Sequence, residues 1–241
     1  MPARFEHGAC RLINLCSPCP LLSSCQAGFI RKVYGILAIQ LLFTACSSAF
    51  FMFHEPTRFF VLANHGMLMT ASIAPFPFLL GLYCYKDRHP LNMALLAGFT
   101  AAMTYTVGVV CAAYYQNHMG VVVLQALILT ATVFISLTSY VMVTKKDFSY
   151  LGGGLFSGLI ILIVWGFLNS FFDFGLGGRM VFSLVGALLF VGYILYDTSL
   201  IVHVFGPDDY VVAAVTLYLD IINLFLYLLE LLRMLQGGNG D

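Results

Sequence analysis

Two aspartates, Asp197 and Asp220, each lie inside a long apolar run near the end of the sequence. No lysine or arginine occurs between residues 192 and 232 to neutralise them. A carboxylate at membrane depth costs about 2.5 to 3.5 kcal/mol, so such residues usually face a partner, a cavity or an ion path. The pair therefore indicates a functional site; the structural alternative is hydrogen bonding between helices by protonated aspartates.

The spacing predicts that the two carboxylates meet. Gly206 and Pro207 mark a turn, with Asp197 nine residues before it and Asp220 thirteen after it. If both runs are helices, the two side chains lie about 14 and 20 Å from the turn. Residues three or four apart on the later run form one polar stripe, and Tyr193 precedes Asp197 by one turn on the facing run. The predicted stripe around Asp220 consists of Thr216, Asn223, Tyr227 and Glu230.

Two adjacent carboxylates in a low dielectric cannot easily both ionise, so we expect the pair to share a proton and titrate as a unit. Ca²⁺ could replace that proton, because it prefers oxygen ligands and carboxylate charge. Asp197 and Asp220 are therefore candidate Ca²⁺ ligands. The chemistry fits either a proton-sensitive cation site or a proton relay and does not choose between them.

The composition places these aspartates in a membrane protein. Of the 241 residues, 61% are hydrophobic and 9% are charged, which is more apolar surface than a soluble domain of this length can bury. Seven apolar runs are each long enough to span a bilayer. The predicted fold is an all-α, polytopic bundle of seven transmembrane helices. The predicted spans cover residues 33–53, 60–83, 91–114, 120–143, 151–171, 180–202 and 210–232.

The spans set the domain organisation. Residues 1–28 are predicted to be a short cytosolic tail without a cleavable signal peptide, 29–235 the transmembrane domain, and 236–241 a short flexible C-terminal tail. With seven spans, eight Lys and Arg residues fall on the N-terminal side and three on the other, which predicts a cytosolic N-terminus. Within the second span, Pro75 and Pro77 are expected to kink the helix. The role of four tail cysteines stays open: Cys10, Cys16, Cys19 and Cys25.

Several segments together resemble the BAX inhibitor-1 superfamily, and in particular its lifeguard branch. The resemblance extends from residue 28 to about residue 232 and is carried by GFIRKVYGILAIQLLFT at 28–44, RHPLNMALLAGFT at 88–100, VTKKDFSYLGGGLF at 143–156, YDTSLI at 196–201 and DDYVVAAVTLYLDIINLFLYLL at 208–229. The combination of YDT on one helix and LYLDIINLF on the next is the most specific part.

The resemblance implies seven helices, an endomembrane location such as the endoplasmic reticulum or Golgi, suppression of cell death and modulation of calcium stores. Bacterial relatives resemble pH-sensitive calcium leak channels whose two sensing aspartates correspond to Asp197 and Asp220. Relatives also use a basic residue near the second helix to hold that pair, for which the candidates here are Arg58 and His65. The expected partners are membrane lipid, Ca²⁺ and H⁺, together with cell-death or calcium-handling membrane proteins.

Other functions fit less well. A non-conducting scaffold that restrains cell-death partners is the main alternative to a leak. A seven-helix receptor is disfavoured because no Asp-Arg-Tyr motif follows the third span. We expect that the protein is not an enzyme and uses no cofactor, because no nucleophile with a paired base is evident. We also expect no nucleic-acid partner, because the net charge is zero.

Overall fold

The computed structural model describes residues 20–64, 66, 69–70, 73–85, 91–172, 175–206 and 209–237. These residues are almost entirely α-helical, and a single 3₁₀ turn, Ser149–Leu151, precedes the sixth helix. The helices are α1 (Pro20–Phe53), α2 (Glu55–Ala63), α3 (Pro75–Cys84), α4 (Leu91–Gln116), α5 (Gly120–Thr144), α6 (Gly152–Phe171), α7 (Gly175–His203) and α8 (Tyr210–Gly237).

Six helices in the described part of the chain are long and apolar enough to cross a membrane, and α3 is a shorter apolar helix. Their outward faces carry many large apolar side chains, such as Ile39, Val143 and Leu188, which are all more than 60% exposed. Such a surface is stable only against lipid. The predicted all-α, polytopic bundle is confirmed.

The predicted second span, 60–83, is not one continuous helix. Helix α2 ends at Ala63, and Asn64 has the non-helical angles φ −96° and ψ 70°. Pro75 and Pro77 stand in the first turn of α3, where a proline removes no intrahelical hydrogen bond. The two prolines therefore begin a helix. The expectation that they kink a continuous helix is wrong.

Helix α8 forms the centre of the bundle. It contacts α1, α4, α5 and α7, and α7 is its most extensive neighbour. Its side chains are buried on several sides, including Ala213, Ala214, Leu217, Tyr218 and Leu224, which have no exposed surface. The acid at position 220 is therefore carried on the helix that is best shielded from lipid.

One end of the bundle gathers the ends of several helices, and we call it the strap end. It comprises the connection 145–151 between α5 and α6, the C-terminus of α7 and the start of α8. Near the beginning of α1, Gln26 donates a hydrogen bond to the Val202 carbonyl, and the Lys32 ammonium lies 5.8 Å from the centroid of the Tyr210 ring. The long helices α1, α7 and α8 are thus tied together at this end.

Candidate functional site

The two aspartates meet inside the bundle. Asp197 on α7 and Asp220 on α8 are 8% and 5% exposed, and their carboxyl groups lie within hydrogen-bonding reach of each other. The Thr216 hydroxyl, one turn before Asp220, is within reach of Asp197. Because α7 and α8 are antiparallel neighbours, residues at matched distances from the turn are brought side by side.

The pair lies closer to the strap end than to the other end. Asp197 is six residues before the end of α7 and Asp220 is ten residues after the start of α8, which places them about 9 and 15 Å from those helix ends. Tyr193 interacts electrostatically with both carboxyl groups, and Tyr83 of α3 with that of Asp197. Oδ2 of Asp220 is buried and has no hydrogen-bond partner among the described residues. An acceptor left unpaired in this way favours a bound proton or cation.

The remainder of the predicted stripe does not reach the pair. The Asn223 amide donates to the Leu219 carbonyl of its own helix at 2.8 Å. Glu230 accepts a hydrogen bond of 2.7 Å from the Tyr114 hydroxyl and forms an ion pair with Arg233. Of the predicted stripe residues, Tyr193 and Thr216 adjoin the aspartates, and Asn223, Tyr227 and Glu230 line a separate space.

That space is a cavity of about 400 Å³ between α6, α7 and α8, toward the end opposite the strap end. It extends along α8 to Asn223, which is one helical turn from Asp220. The lining residues are Asn169, Arg179, Phe182, Ser183, Asn223, Leu226, Tyr227 and Glu230. A short segment of the α7–α8 interface thus separates this cavity from the aspartate pair.

Two stacked rings lie on the cavity side of the α7–α8 interface. The ring centroids of Phe190 and Tyr227 are 5.7 Å apart with an interplanar angle of 22°. Gly186 lies beneath Tyr227, and a Cβ atom at position 186 would come within 2.6 Å of the tyrosine ring. The glycine therefore lets Tyr227 lie close against α7, where its ring forms part of the cavity wall.

Neither candidate latch residue is placed beside the aspartate pair by the described part of the structure. Arg58 is buried at the corner between α1 and α2, where Nη1 donates to the Met52 carbonyl at 2.8 Å and Nη2 lies 3.7 Å from the Glu55 carboxylate. Its guanidinium also lies 5.3 Å from the centroid of the Tyr115 ring. His65 falls outside the described residues. The latch assignment stays a prediction.

A buried polar cluster joins α1, α4 and α8 on a different face of α8 from Asp220. The Thr44 hydroxyl lies 2.8 Å from the Tyr218 hydroxyl and 3.0 Å from that of Thr104, and it donates to the Gln40 carbonyl at 2.9 Å. The Gln40 amide donates to Thr100 at 2.8 Å. The sequence analysis missed this cluster, although Gln40 with Thr44 and Thr100 with Thr104 show the spacing of four that indicates a shared helix face.

The connection 145–151 is fastened to the end of α7, which the sequence analysis also missed. The Phe148 amide donates to the Ser199 hydroxyl at 2.9 Å, and that hydroxyl lies 3.4 Å from the Asp147 carboxylate. Hydrogen bonds from the amide and the hydroxyl of Ser149 hold the pKa of Asp147 below its ordinary value. Ser199 is fully buried and lies two residues after Asp197 on the same helix. The loop therefore contacts the part of α7 that carries the acid.

The donor set can be compared with what a Ca²⁺ ion needs. Ca²⁺ takes six to eight oxygen ligands in a stable site. The pair offers two carboxylates with a threonine hydroxyl nearby, and the described residues contain no cluster of three or more His, Cys, Asp and Glu side chains that could hold a metal. The arrangement suits brief occupancy by a passing cation better than permanent storage of one.

Comparison with known proteins places these features in a family. The sequence model of the family described as "Inhibitor of apoptosis-promoting Bax1" matches residues 26–237. A BI1-like protein of Arabidopsis thaliana is 46% identical over 88% of this chain and 82% of its own length. The Golgi anti-apoptotic protein of vaccinia virus (strain Lister) is 41% identical over 87% of this chain and 86% of its own, and protein lifeguard 4 of Mus musculus is 41% identical over 86% and 85%.

Proposed function

The chain belongs to the family of inhibitors of apoptosis-promoting Bax1, and from that premise we propose that it mediates a pH-sensitive leak of Ca²⁺ across an intracellular membrane. The observation that carries this proposal is the contact between Asp197 and Asp220, which are both buried, with one carboxylate oxygen unpartnered. An acid pair placed in this way responds to protons and attracts a divalent cation through the same atoms.

Electrostatics gives the mechanism of the switch. A proton shared between the two carboxyl groups joins α7 to α8 and removes half of the negative charge that would attract a cation. Loss of that proton leaves two adjacent negative charges in a low dielectric, which repel each other and favour either helix separation or entry of Ca²⁺. Flux is therefore expected to rise as the pH rises through the titration of the pair.

The cavity and the stacked rings suggest a route for the ion. A cation that leaves the pair toward the cavity first reaches Asn223, one turn away on α8, and then passes Tyr227, whose ring stacks on Phe190. Rotation of Tyr227 away from Phe190 would widen the path through the cavity without any change in the helices themselves. The rings are accordingly proposed to narrow the path in the closed state.

The direct test is Ca²⁺ flux into liposomes that contain the purified protein, measured with an enclosed fluorescent indicator across pH 5 to 8. Asp197→Asn and Asp220→Asn keep the shape and hydrogen bonding of the side chains and remove their titration. Each variant is expected to flatten the pH response, and the double variant to add little, because the pair titrates as a unit. Thr132→Ser, on the exposed face of α5 and away from the pair and the cavity, is the control and should keep the response.

Two results would contradict the proposal. If the double Asn variant is inserted and stable and its flux has the pH dependence of the wild type, the aspartates act only in helix packing. If the wild-type protein conducts no Ca²⁺ at any pH, a non-conducting scaffold that restrains cell-death partners becomes the better account.

The names of the relatives support a role in cell death and a location in an endomembrane such as the Golgi. One is called a Golgi anti-apoptotic protein and another a lifeguard protein. A leak that lowers the Ca²⁺ content of such a store would weaken the calcium signals that promote cell death. We place the N-terminus in the cytosol, which puts the strap end and the nearby aspartates on the cytosolic side; protease protection of terminal tags tests this orientation.

A further inference from the structure

We propose that His203 and the connection 145–151, here called the strap, form a second proton-binding site at the end of α7. Proton uptake by His203 closes the strap and proton loss opens it. This site is separate from the aspartate pair and does not rest on the proposed leak.

The geometry of the imidazole ring carries the proposal. Nδ1 of His203 lies 3.0 Å from the Ser199 carbonyl oxygen, and Nε2 lies 3.1 Å from the Lys145 carbonyl oxygen. Carbonyl oxygens only accept hydrogen bonds, and a neutral imidazole has a single N–H. Only the doubly protonated ring can donate to both oxygens. In the neutral ring, one nitrogen lone pair would face a carbonyl lone pair at about 3 Å.

The position of His203 favours the same charge state. It is the basic residue in the last turn of α7, where the partial negative charge of the helix C-terminus stabilises a cation. The side chain is exposed, so protons reach it directly from the solvent. Among side chains, histidine is the one whose charge commonly changes at physiological pH, between about pH 5 and 8.

The other charged groups at this end do not replace His203 as the sensor. Asp147 interacts electrostatically with His203, and its pKa is held below the ordinary value by Ser149, so it stays ionised throughout that range. Lys145 and Lys146 carry fixed positive charges in the strap, Lys32 lies over the Tyr210 ring, and Asp209 precedes α8. The carboxylate of Asp147 therefore supplies a constant attraction, and the proton on His203 is the part that varies.

The backbone of the strap suits a segment that opens and closes. Lys145 adopts left-handed angles, φ 49° and ψ 29°, which end α5 and direct its carbonyl toward His203. Beyond it, the Phe148 amide bonds to Ser199 on α7. A closed strap thus holds the α5–α6 connection against the stretch of α7 that follows Asp197.

Trypsin provides a test in the full-length protein, because Lys145 and Lys146 are cleavage sites inside the strap. Cleavage in nanodiscs is measured at pH 6 and pH 8, and each rate is divided by that of a free peptide covering residues 141–151 to remove the pH dependence of the protease. When closure is fast, this ratio follows the population of the open strap. For the wild type we expect the ratio to rise about tenfold or more from pH 6 to pH 8, which corresponds to the loss of one hydrogen bond made by a charged group.

Two substitutions of His203 should fix the strap in opposite states. His203→Gln, which has no titratable proton, should give a high ratio at both pH values. His203→Arg, which is always charged, should give a low ratio at both. His118→Asn, in the α4–α5 connection at the opposite end, is the matched control and should respond as the wild type does.

Several results would overturn the proposal. They are a wild-type ratio that does not change with pH, a full pH response in His203→Gln, and a pH response in His203→Arg that equals that of the wild type. The Asp197→Asn/Asp220→Asn variant should keep the response of the strap even if it conducts no Ca²⁺. Loss of the response in that variant would mean that the strap reports the aspartate pair and has no sensor of its own.

Discussion

The Thr44 hydroxyl, at the centre of the buried cluster between α1, α4 and α8, allows a quantitative prediction. It donates to the Gln40 carbonyl and can accept from both Tyr218 and Thr104. Thr44→Val has nearly the same shape and removes these bonds. The two hydroxyls that it releases lie close enough to pair with each other, because Thr104 is also within hydrogen-bonding reach of Tyr218. We therefore expect Thr44→Val to lower the free energy of unfolding by only about 0.6 kcal/mol, the average for such bonds in a membrane.

The double variant should behave differently. Thr44→Val with Thr104→Val leaves the hydroxyl of Tyr218, a residue with no exposed surface, without either partner. An orphaned buried donor costs about 1 to 3 kcal/mol, so the double variant should lose clearly more than twice the single loss. Adding Tyr218→Phe removes the orphaned hydroxyl. The triple variant is therefore expected to be more stable than the double variant by about 1 kcal/mol or more.

Reversible unfolding in mixed micelles of dodecyl maltoside and SDS, followed by circular dichroism, measures these differences. Tyr218→Phe alone is the control and should cost about as much as Thr44→Val, because the Thr44–Thr104 bond survives. The reasoning fails if the triple variant is less stable than the double variant, or if the three losses simply add.

Three further predictions concern other parts of the molecule. Gly186→Ala should lower the free energy of unfolding by about 1 to 3 kcal/mol because its Cβ would meet the Tyr227 ring, whereas Gly35→Ala, which has no atom within 4 Å of the new Cβ, should be neutral in the same unfolding assay. Asp147→Asn should lower the melting temperature at neutral pH. Because the pKa of Asp147 is lowered in the folded protein, its stabilisation is lost on protonation, and the difference from the wild type should vanish only as the pH falls below the ordinary carboxyl value of 3.8. A difference in melting temperature that disappears already at pH 6 would contradict this. Arg58→Gln should reduce the stability of the protein, because the side chain loses its contacts with Met52 and Tyr115. The pH midpoint of Ca²⁺ flux should stay unchanged in this variant, and a shifted midpoint would support the latch role of Arg58.

The meeting of the aspartates could be anticipated from the sequence because two simple rules determine it. Each acid stands alone in an apolar run, and each lies at a similar distance from the turn that includes Gly206. Helical periodicity then determines the shared face. The same rules also show where the predicted stripe stops: Glu230 is ten residues beyond Asp220, or about 15 Å along the helix, so it belongs to the cavity and cannot touch the pair.

Other features depend on contacts that residue types do not reveal. The break at Asn64 lies in a run whose apolar composition resembles that of the unbroken helices, so hydropathy alone predicts one span. The bond between His203 and residue 145 is made to a backbone carbonyl, whose direction depends on the left-handed turn and not on the identity of the lysine. The corner that holds Arg58 likewise depends on the orientation of the Met52 carbonyl.

The central position of α8 has a consequence for how the protein is made. This helix is the last in chain order, yet it contacts α1, α4, α5 and α7. Until it leaves the ribosome, Thr44 and Asp197 lack the partners that α8 provides, and they stand at membrane depth among helices already inserted. The unfinished bundle must therefore be shielded from lipid, by the insertion machinery or by a chaperone, until α8 arrives. Nascent chains that stop before residue 210 are expected to be recognised by membrane quality control and degraded.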